Sequence, residues 1–438
     1  MYKGRVTPTP PLSPLGLLRA NTPYRRLYLA RLVSLMGDWF NLLALVALLR
    51  EIGGSGAMAL GGTLILKSLP PLMATPFAGW VADRFPRKTI MIASDLGRAV
   101  VVVGMLGQLV YPSLPILMAL VALQAFMGAF FEPARRAITP SVVPPEDLET
   151  AGALDAATWS AMLALGAALG GLTTAWLGWE AALVVDAATY LVSVTFLLRM
   201  PTVQVSKREG TGTLREGAAY LRANPRVWTL VLVKAGWSVA GATTLVLTLL
   251  GEGPLHADKD PLFARMASGA QDANVIGVTV LYVARGLGTA VGPFVARWLS
   301  KGQAKRMEGL IGFSFAWGAV FYVCVGLTPT LSWAVPFVAV AHLGGATAWV
   351  FSTVRLQQLV PDALLGRVFA AELGAFTAMF AASTAVYSAL YDGGIGAQRL
   401  VSMMGLGLLL PAALWTIRQL WVGRVDPLPE KALKAEAV

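Results

Sequence analysis

Ionisable side chains buried in apolar segments are where this sequence could do chemistry. Asp38 and Lys67 each sit near the middle of a long apolar run, with Trp39, Phe40 and Asn41 directly after the aspartate. A charge at mid-bilayer is costly unless it is paired or wet, so such residues are functional candidates by default. The chemistry open to this pair is proton uptake and release by the Asp38 carboxylate, with the Lys67 ammonium favouring the ionised form. A permanent structural ion pair is the other reading. Lys234 and Arg285 are embedded cations further along the chain and suit an anionic or zwitterionic partner. Lys234 lies close enough to one end of its run to reach the interface instead. Asp95 and Arg98, three apart on one helix face, are read as satisfying each other or the charged loop that precedes their helix.

Other classes of chemistry find little support. Cys324 is the lone cysteine and lies in an apolar run, so neither an intrachain disulfide nor a thiol metal cluster can form. No cluster of histidine, cysteine or carboxylate accompanies His342 in its span, so no metal site and no catalytic residue is assigned, and no cofactor is expected. The phosphate loop G-x-x-x-x-G-K-[ST] is absent, so any work must draw on a gradient. The formal charge of +11 is scattered over short loops, which argues against nucleic acid and for membrane orientation.

The elements that position these residues follow from composition. Of 438 residues, 56% are hydrophobic and 13% charged, an apolar excess that needs lipid to cover it. The apolar residues fall in blocks of about twenty, the length that crosses a roughly 30 Å hydrocarbon core as a helix. The fold expected is an all-α membrane protein with twelve transmembrane helices. Its spans are 27–49, 57–82, 89–111, 114–134, 151–175 and 178–200, then 227–250, 274–299, 308–327, 331–353, 368–391 and 395–421. Alternate loops are rich in Lys and Arg, which the positive-inside rule places in the cytoplasm together with both termini. The expected organisation is a cytoplasmic tail (1–26), a six-helix bundle (27–200), a cytoplasmic connector (201–226), a second bundle (227–421) and a cytoplasmic tail (422–438). The outer loop from Gly251 to Asn274 is read as a solvated linker, with a lid or partner surface as the alternative.

An internal repeat relates the bundles. Pro76-Phe77 recurs as Pro293-Phe294 and Val143-Pro144 as Val360-Pro361, both displaced by 217 residues, and at that displacement Asp155 meets Glu372. Two pseudo-symmetric six-helix bundles with a cavity between them near the midplane are a transporter architecture. Residues expected to line that cavity are Trp39, Phe40, Asn41, Gln124, Trp159, Trp237, Arg285, His342 and Trp349, a set suited to bulky, partly apolar molecules. Packing or an interfacial belt is the rival role for each aromatic.

Between the second and third spans runs Gly79-Trp80-Val81-Ala82-Asp83-Arg84-Phe85-Pro86-Arg87-Lys88. It resembles the signature loop of the major facilitator superfamily, G-x-x-x-D-R-x-G-R-[RK], with Pro86 in place of the second glycine. Phe131 to Pro140, Val143-Pro144 and Asp186 to Tyr190 look like the branch that holds enterobactin-type exporters and macrolide efflux pumps. The antiporter pattern of the fourth span is reduced to Gln124, and that of the fifth, Met162 to Gly171, has Ala167 in place of proline. The resemblance implies a monomeric, multi-pass protein of a bacterial inner membrane. It further implies efflux of a small organic compound by alternating access, usually as proton antiport, with symport-type uptake or lipid flipping as alternatives. A membrane sensor or assembly factor is the reading outside transport. In the superfamily arrangement the second span meets the eleventh and the fifth meets the eighth. Gly79, Asp83, Arg84, Arg87 and Lys88 would then form a cytoplasmic gate, Glu372 pairing with Arg84 or Arg87, and Asp155 with Arg297 or Lys301.

Overall fold

In hydrocarbon a backbone can satisfy its polar groups only within itself, so the apolar blocks must be helices. The computed structural model describes residues 12–53, 56–201 and 214–425 and, among these, contains helices and short turns only. The side chains of Gly79 and Asp83 fall outside the described set, as do residues 202–213 of the connector and 426–438 of the expected tail. Helix α1 (Pro14–Ala20) precedes the membrane helices of the first half, α2 (Thr22–Glu51), α3 (Ala57–Arg84), α4 (Arg87–Met105), α5 (Leu114–Val142) and α6 (Leu148–Arg199). The second half follows α7 (Leu214–Ala223) and comprises α8 (Pro225–Trp237), α9 (Thr243–Glu252), the short α10 (Ala264–Ala267), α11 (Ala273–Ser300), α12 (Ala304–Leu327), α13 (Leu331–Leu359), α14 (Asp362–Asp392), α15 (Ala397–Gly407) and α16 (Leu409–Val425).

Among the described residues eleven helical segments are long and apolar enough to cross a membrane, and one of these, Pro145–Arg199, is two crossings in one. At Gly178 the backbone turns through φ 85° and ψ 164°, a conformation open to glycine, and separates the fifth span from the sixth. The twelve expected spans are therefore all present. Two are discontinuous: the seventh breaks between α8 and α9 at residues 238–242, and the twelfth between α15 and α16 at Leu408.

Residues 12–26 are more ordered than the tail expected there. Leu17 and Tyr24 are buried, the Leu12 amide donates to Asp147 Oδ1 (2.7 Å), and Asn21 Nδ2 donates to the Val142 carbonyl (2.6 Å). The Gly251–Asn274 loop is likewise folded rather than a solvated linker. Leu255, Ala257 and Ala267 are buried, and Asp260 accepts from the Leu262 amide (2.9 Å), the Ser332 amide (2.7 Å) and the Ser332 hydroxyl (2.8 Å). Burial opposes ionisation of Asp260, but these donors outweigh it and hold the carboxyl below its usual range.

The halves meet along α6 with α11 and α3 with α14. Small residues permit the close approach: Gly171 faces Thr279, Gly286 faces the Ala164 backbone, and Gly61 faces Ser388. These contacts lie towards the end of the bundle away from the basic loops. There Arg50 bridges to Glu252 (3.2 Å) and Asp272, the Asp272 amide donates to the Ala175 carbonyl (3.0 Å), and Asp392 accepts from the Ala57 (2.8 Å) and Met58 (3.0 Å) amides at the start of α3.

At the basic end each half is tied to itself. Glu132 gathers Arg31 (2.6 Å), Arg135 (2.8 Å) and Arg136 (3.0 Å) in the first half, and Glu308 gathers Arg226 (2.9 Å), Arg355 (3.0 Å) and Arg418 (2.8 Å) in the second. On α3 and α11, Met73, Phe77, Phe294 and Trp298 are exposed towards this end. The bundle is thus joined across its halves at one end and parted at the other.

Candidate functional site

The first-half site is built on four helices. Gly37 on α2 lacks the Cβ that would press on Asp186 Oδ1, so the α6 carboxylate seats against the α2 backbone. One residue on, Asp38 Oδ1 accepts from the Tyr190 hydroxyl (2.7 Å), and Arg98 Nη1 lies 3.7 Å away. The Asp38 side chain is 43% exposed, the open member of an otherwise closed group. Gln124 Nε2 donates to the Tyr190 hydroxyl (3.1 Å) and Arg98 stacks on the Tyr190 ring at 4.3 Å, so α4 and α5 both fix the group that holds Asp38. Arg98 also pairs with Asp95, which accepts from the Ser193 hydroxyl (2.5 Å).

Lys67 does not meet Asp38 in this arrangement. Its Nζ donates to Asn41 Oδ1 at 2.6 Å, one helical turn beyond Asp38. Asp186 lies within electrostatic reach of Asp38, Lys67 and Arg98. The Asn41 amide nitrogen is near it but is directed at Met105 Sδ (3.9 Å), and neither Asp186 oxygen has a donor among the described residues.

The second-half wall has a different character. Arg285 Nη1 donates to the Thr244 hydroxyl (2.8 Å), which the break between α8 and α9 carries into place. Its Nε is buried without an acceptor, and no carboxylate pairs with it among the described residues. His342 is buried, its Nε2 bonded to the Tyr322 hydroxyl (3.1 Å) and its Nδ1 to the Val338 carbonyl (2.9 Å), a packing role in place of an open cavity group. Trp237 packs on Phe315 and Tyr322 and fills the space left by Gly345. Across the seam the Trp39 ring meets Tyr282 edge-on at 6.2 Å, which joins the Asp38 and Arg285 neighbourhoods.

The remaining candidates separate. Phe40 belongs to the core against Gly170, whereas Trp159 is 45% exposed. Lys234 does not extend to the interface. It is buried, donates to Glu372 (2.8 Å) and Thr353 (2.9 Å), and lies over the Trp349 ring at 4.5 Å. Both carboxylates expected to bridge the halves are therefore engaged within their own half: Glu372 with Lys234, and Asp155 with Arg135 at 2.7 Å. Lys88 caps the last turn of α6 through the Leu198 (3.0 Å) and Met200 (2.6 Å) carbonyls, while Arg84 and Arg297 are exposed and the Arg87 Nε is buried without an acceptor.

Asp186, Tyr190, Arg98 and Tyr322 belong to these sites and were not singled out as such from sequence. The signal for Asp186 was available, because it too is a carboxylate inside an apolar run. Arg98 looked satisfied by Asp95, and its wider reach is a property of packing.

The comparisons with known proteins agree with this architecture. The description Major Facilitator Superfamily matches residues 27–384. The putative bacilysin exporter BacE of Bacillus subtilis is 26% identical over 364 residues, 80% of this chain and 84% of that one. The enterobactin exporter EntS of Escherichia coli O127:H6 is 26% identical over 414 residues, 90% of this chain and 91% of that one. Among solved structures the nucleoside transporter NupG superposes with a TM-score of 0.72 at 16% identity, covering 91% of this chain and 99% of its own. That likeness speaks to the fold alone. With twelve apolar spans, two joined halves and this match over most of its length, the chain belongs to the major facilitator superfamily and is a multi-pass membrane transporter.

Proposed function

We propose that the protein exports a small amphipathic organic compound bearing an anionic group, in exchange for protons, across a bacterial inner membrane. The observation that carries this reading is Arg285: a cation beside the interface of the halves, held by a hydroxyl and matched by no carboxylate among the described residues. An uncompensated charge in a partly buried site within the membrane is costly, so a cavity that keeps one is suited to a substrate that supplies the counter-charge. The exporter names of the two relatives favour efflux over uptake. The acid-rich centre of the facing wall, with Asp38 exposed in it and Lys67 held one helical turn away by Asn41, supplies the proton-linked side of the cycle.

Alternating access gives the basic-end pairs their role. With that end cytoplasmic, together with both termini, the structure is an inward-open state. The seam at the other end then parts as the cytoplasmic end closes. On closure Glu372 leaves Lys234 for Arg84 or Arg87, and Asp155 leaves Arg135 for Arg297 or Lys301. The protein works as a monomer, since each chain holds both halves of the cavity.

Everted membrane vesicles with an imposed pH gradient test the reading. Amphipathic organic anions and zwitterions should accumulate inside the vesicles, and accumulation should collapse when the gradient is dissipated. Substrate leaving the vesicles along with protons would establish uptake by symport instead.

A further inference from the structure

Three carboxylates, Asp38, Asp95 and Asp186, face two cations, Lys67 and Arg98, in the centre of the first half. Arg98 serves Asp95 and stands beside Asp38, while Lys67 is held by a neutral amide. One negative charge is left over. The group with the poorest means of carrying it is Asp186, wholly buried and with both oxygens lacking a donor. Neighbouring hydroxyl donors are all committed elsewhere: the Thr189 hydroxyl to the Asp186 main-chain carbonyl (2.7 Å), the Tyr190 hydroxyl to Asp38, and the Ser193 hydroxyl to Asp95, while the Asn41 amide, the one further donor in its vicinity among the described residues, is directed at Met105 Sδ (3.9 Å). A carboxylate so placed is costly in apolar surroundings, whereas a carboxylic acid is far less so.

We infer that Asp186, and not the exposed Asp38, is the group that carries the proton in this inward-open state. The charge count then closes, and Asp38 is left to face the cavity. The step that follows is simple in its balance. The Asp186 O–H bond breaks, the proton passes to cavity water, and the carboxylate formed attracts the Lys67 ammonium away from Asn41. Because Asn41 is on α2, Lys67 on α3 and Asp186 on α6, loss of the proton changes which helices are tied together. The groups facing Asp186 that bear on its titration are Asp38 on α2, Lys67 on α3, Asp95 and Arg98 on α4 and Tyr190 on α6.

This inference rests on the proton-coupled reading above, but its test needs no substrate. Infrared spectra of the purified full-length protein at neutral pH should contain a protonated-carboxyl stretch. Asp186→Asn should lose that component and fold normally, since the amide is an isostere of the neutral acid. Asp186→Glu should shift the component, and Asp38→Asn should leave it in place. A spectrum unchanged in Asp186→Asn, or a component lost in Asp38→Asn instead, overturns the assignment. Should Asp186→Asn not fold, the Asp186→Glu shift decides alone: an unmoved band overturns the proposal. A band assigned to Asp186 in a protein whose vesicles show no gradient-driven transport would uphold the proton site while removing the exporter reading. The reverse outcome would remove the proton site only.

Discussion

In the centre of the first half Arg98 lies between two carboxylates, Asp95 and Asp38, whereas in the centre of the second half Arg285 is held by a threonine hydroxyl. Both halves descend from one repeated pattern, visible in the shared 217-residue offset, and both end in a glutamate that collects three arginines. Glu132 and Glu308 stand 176 residues apart and do not share that offset, so each half builds its three-arginine cluster from a different position of the repeat, and the centres differ as well. A centre with surplus acid suits proton exchange, and one with surplus base suits an anion. A cavity flanked by the two can link one event to the other.

The largest effect that would sharpen this contrast is on the scaffold. Glu308→Ala leaves three arginines without their acceptor, and removing one partner of a buried ion cluster costs about 3–5 kcal/mol. The side chains of Glu308 and Glu132 are 6% and 30% exposed, so Glu132→Ala should cost less because water screens it. Melting curves in detergent check this, and equal losses would break the claim that burial sets the difference between the two clusters. Next comes Arg285→Gln, expected to weaken binding of anionic substrates by about 2–3 kcal/mol, a factor of roughly 30 to 150. Neutral probes should be unaffected, and parallel loss of both in transport assays would place Arg285 in the scaffold.

Smaller effects lie outside the centre. Asp260→Asn removes a charged acceptor of three hydrogen bonds and should cost about 1–2 kcal/mol. Because the folded-state carboxyl titrates below its unfolded value, the stability it contributes is complete above about pH 4 and fades only as pH falls through its folded value. The difference in melting temperature between wild type and Asp260→Asn should therefore be flat from about pH 5 to 8 and close under acid conditions. The smallest change is Tyr190→Phe, about 1 kcal/mol, which frees Asp38 from its hydroxyl donor. It should alter the pH profile of transport more than the melting temperature.

Much of the architecture was legible in the sequence, because hydrophobic blocks of membrane length leave a helix no alternative. The twelve spans and the repeat follow from that constraint. Pairing was not legible. A membrane helix is apolar on most of its faces, so periodicity does not tell which side meets a neighbour. Lys67 therefore suggested Asp38 as partner when Asn41 holds it, and Glu372 suggested Arg84 or Arg87 when this state gives it to Lys234. The break in the seventh span also escaped a reading by blocks, since residues 238–242 are no more polar than their surroundings.

The Asp392 carboxylate that seats on the first amides of α3 has a use beyond holding the seam. Amide protons at Ala57 and Met58 exchange with solvent when that contact is undone, so their deuterium uptake is a clock for opening of the joined end of the bundle. Such a cap is worth only about 1 kcal/mol, weak enough to be released at each turnover. Its exchange rate, read with and without candidate ligands, would report how each one shifts the seam between closed and opened forms.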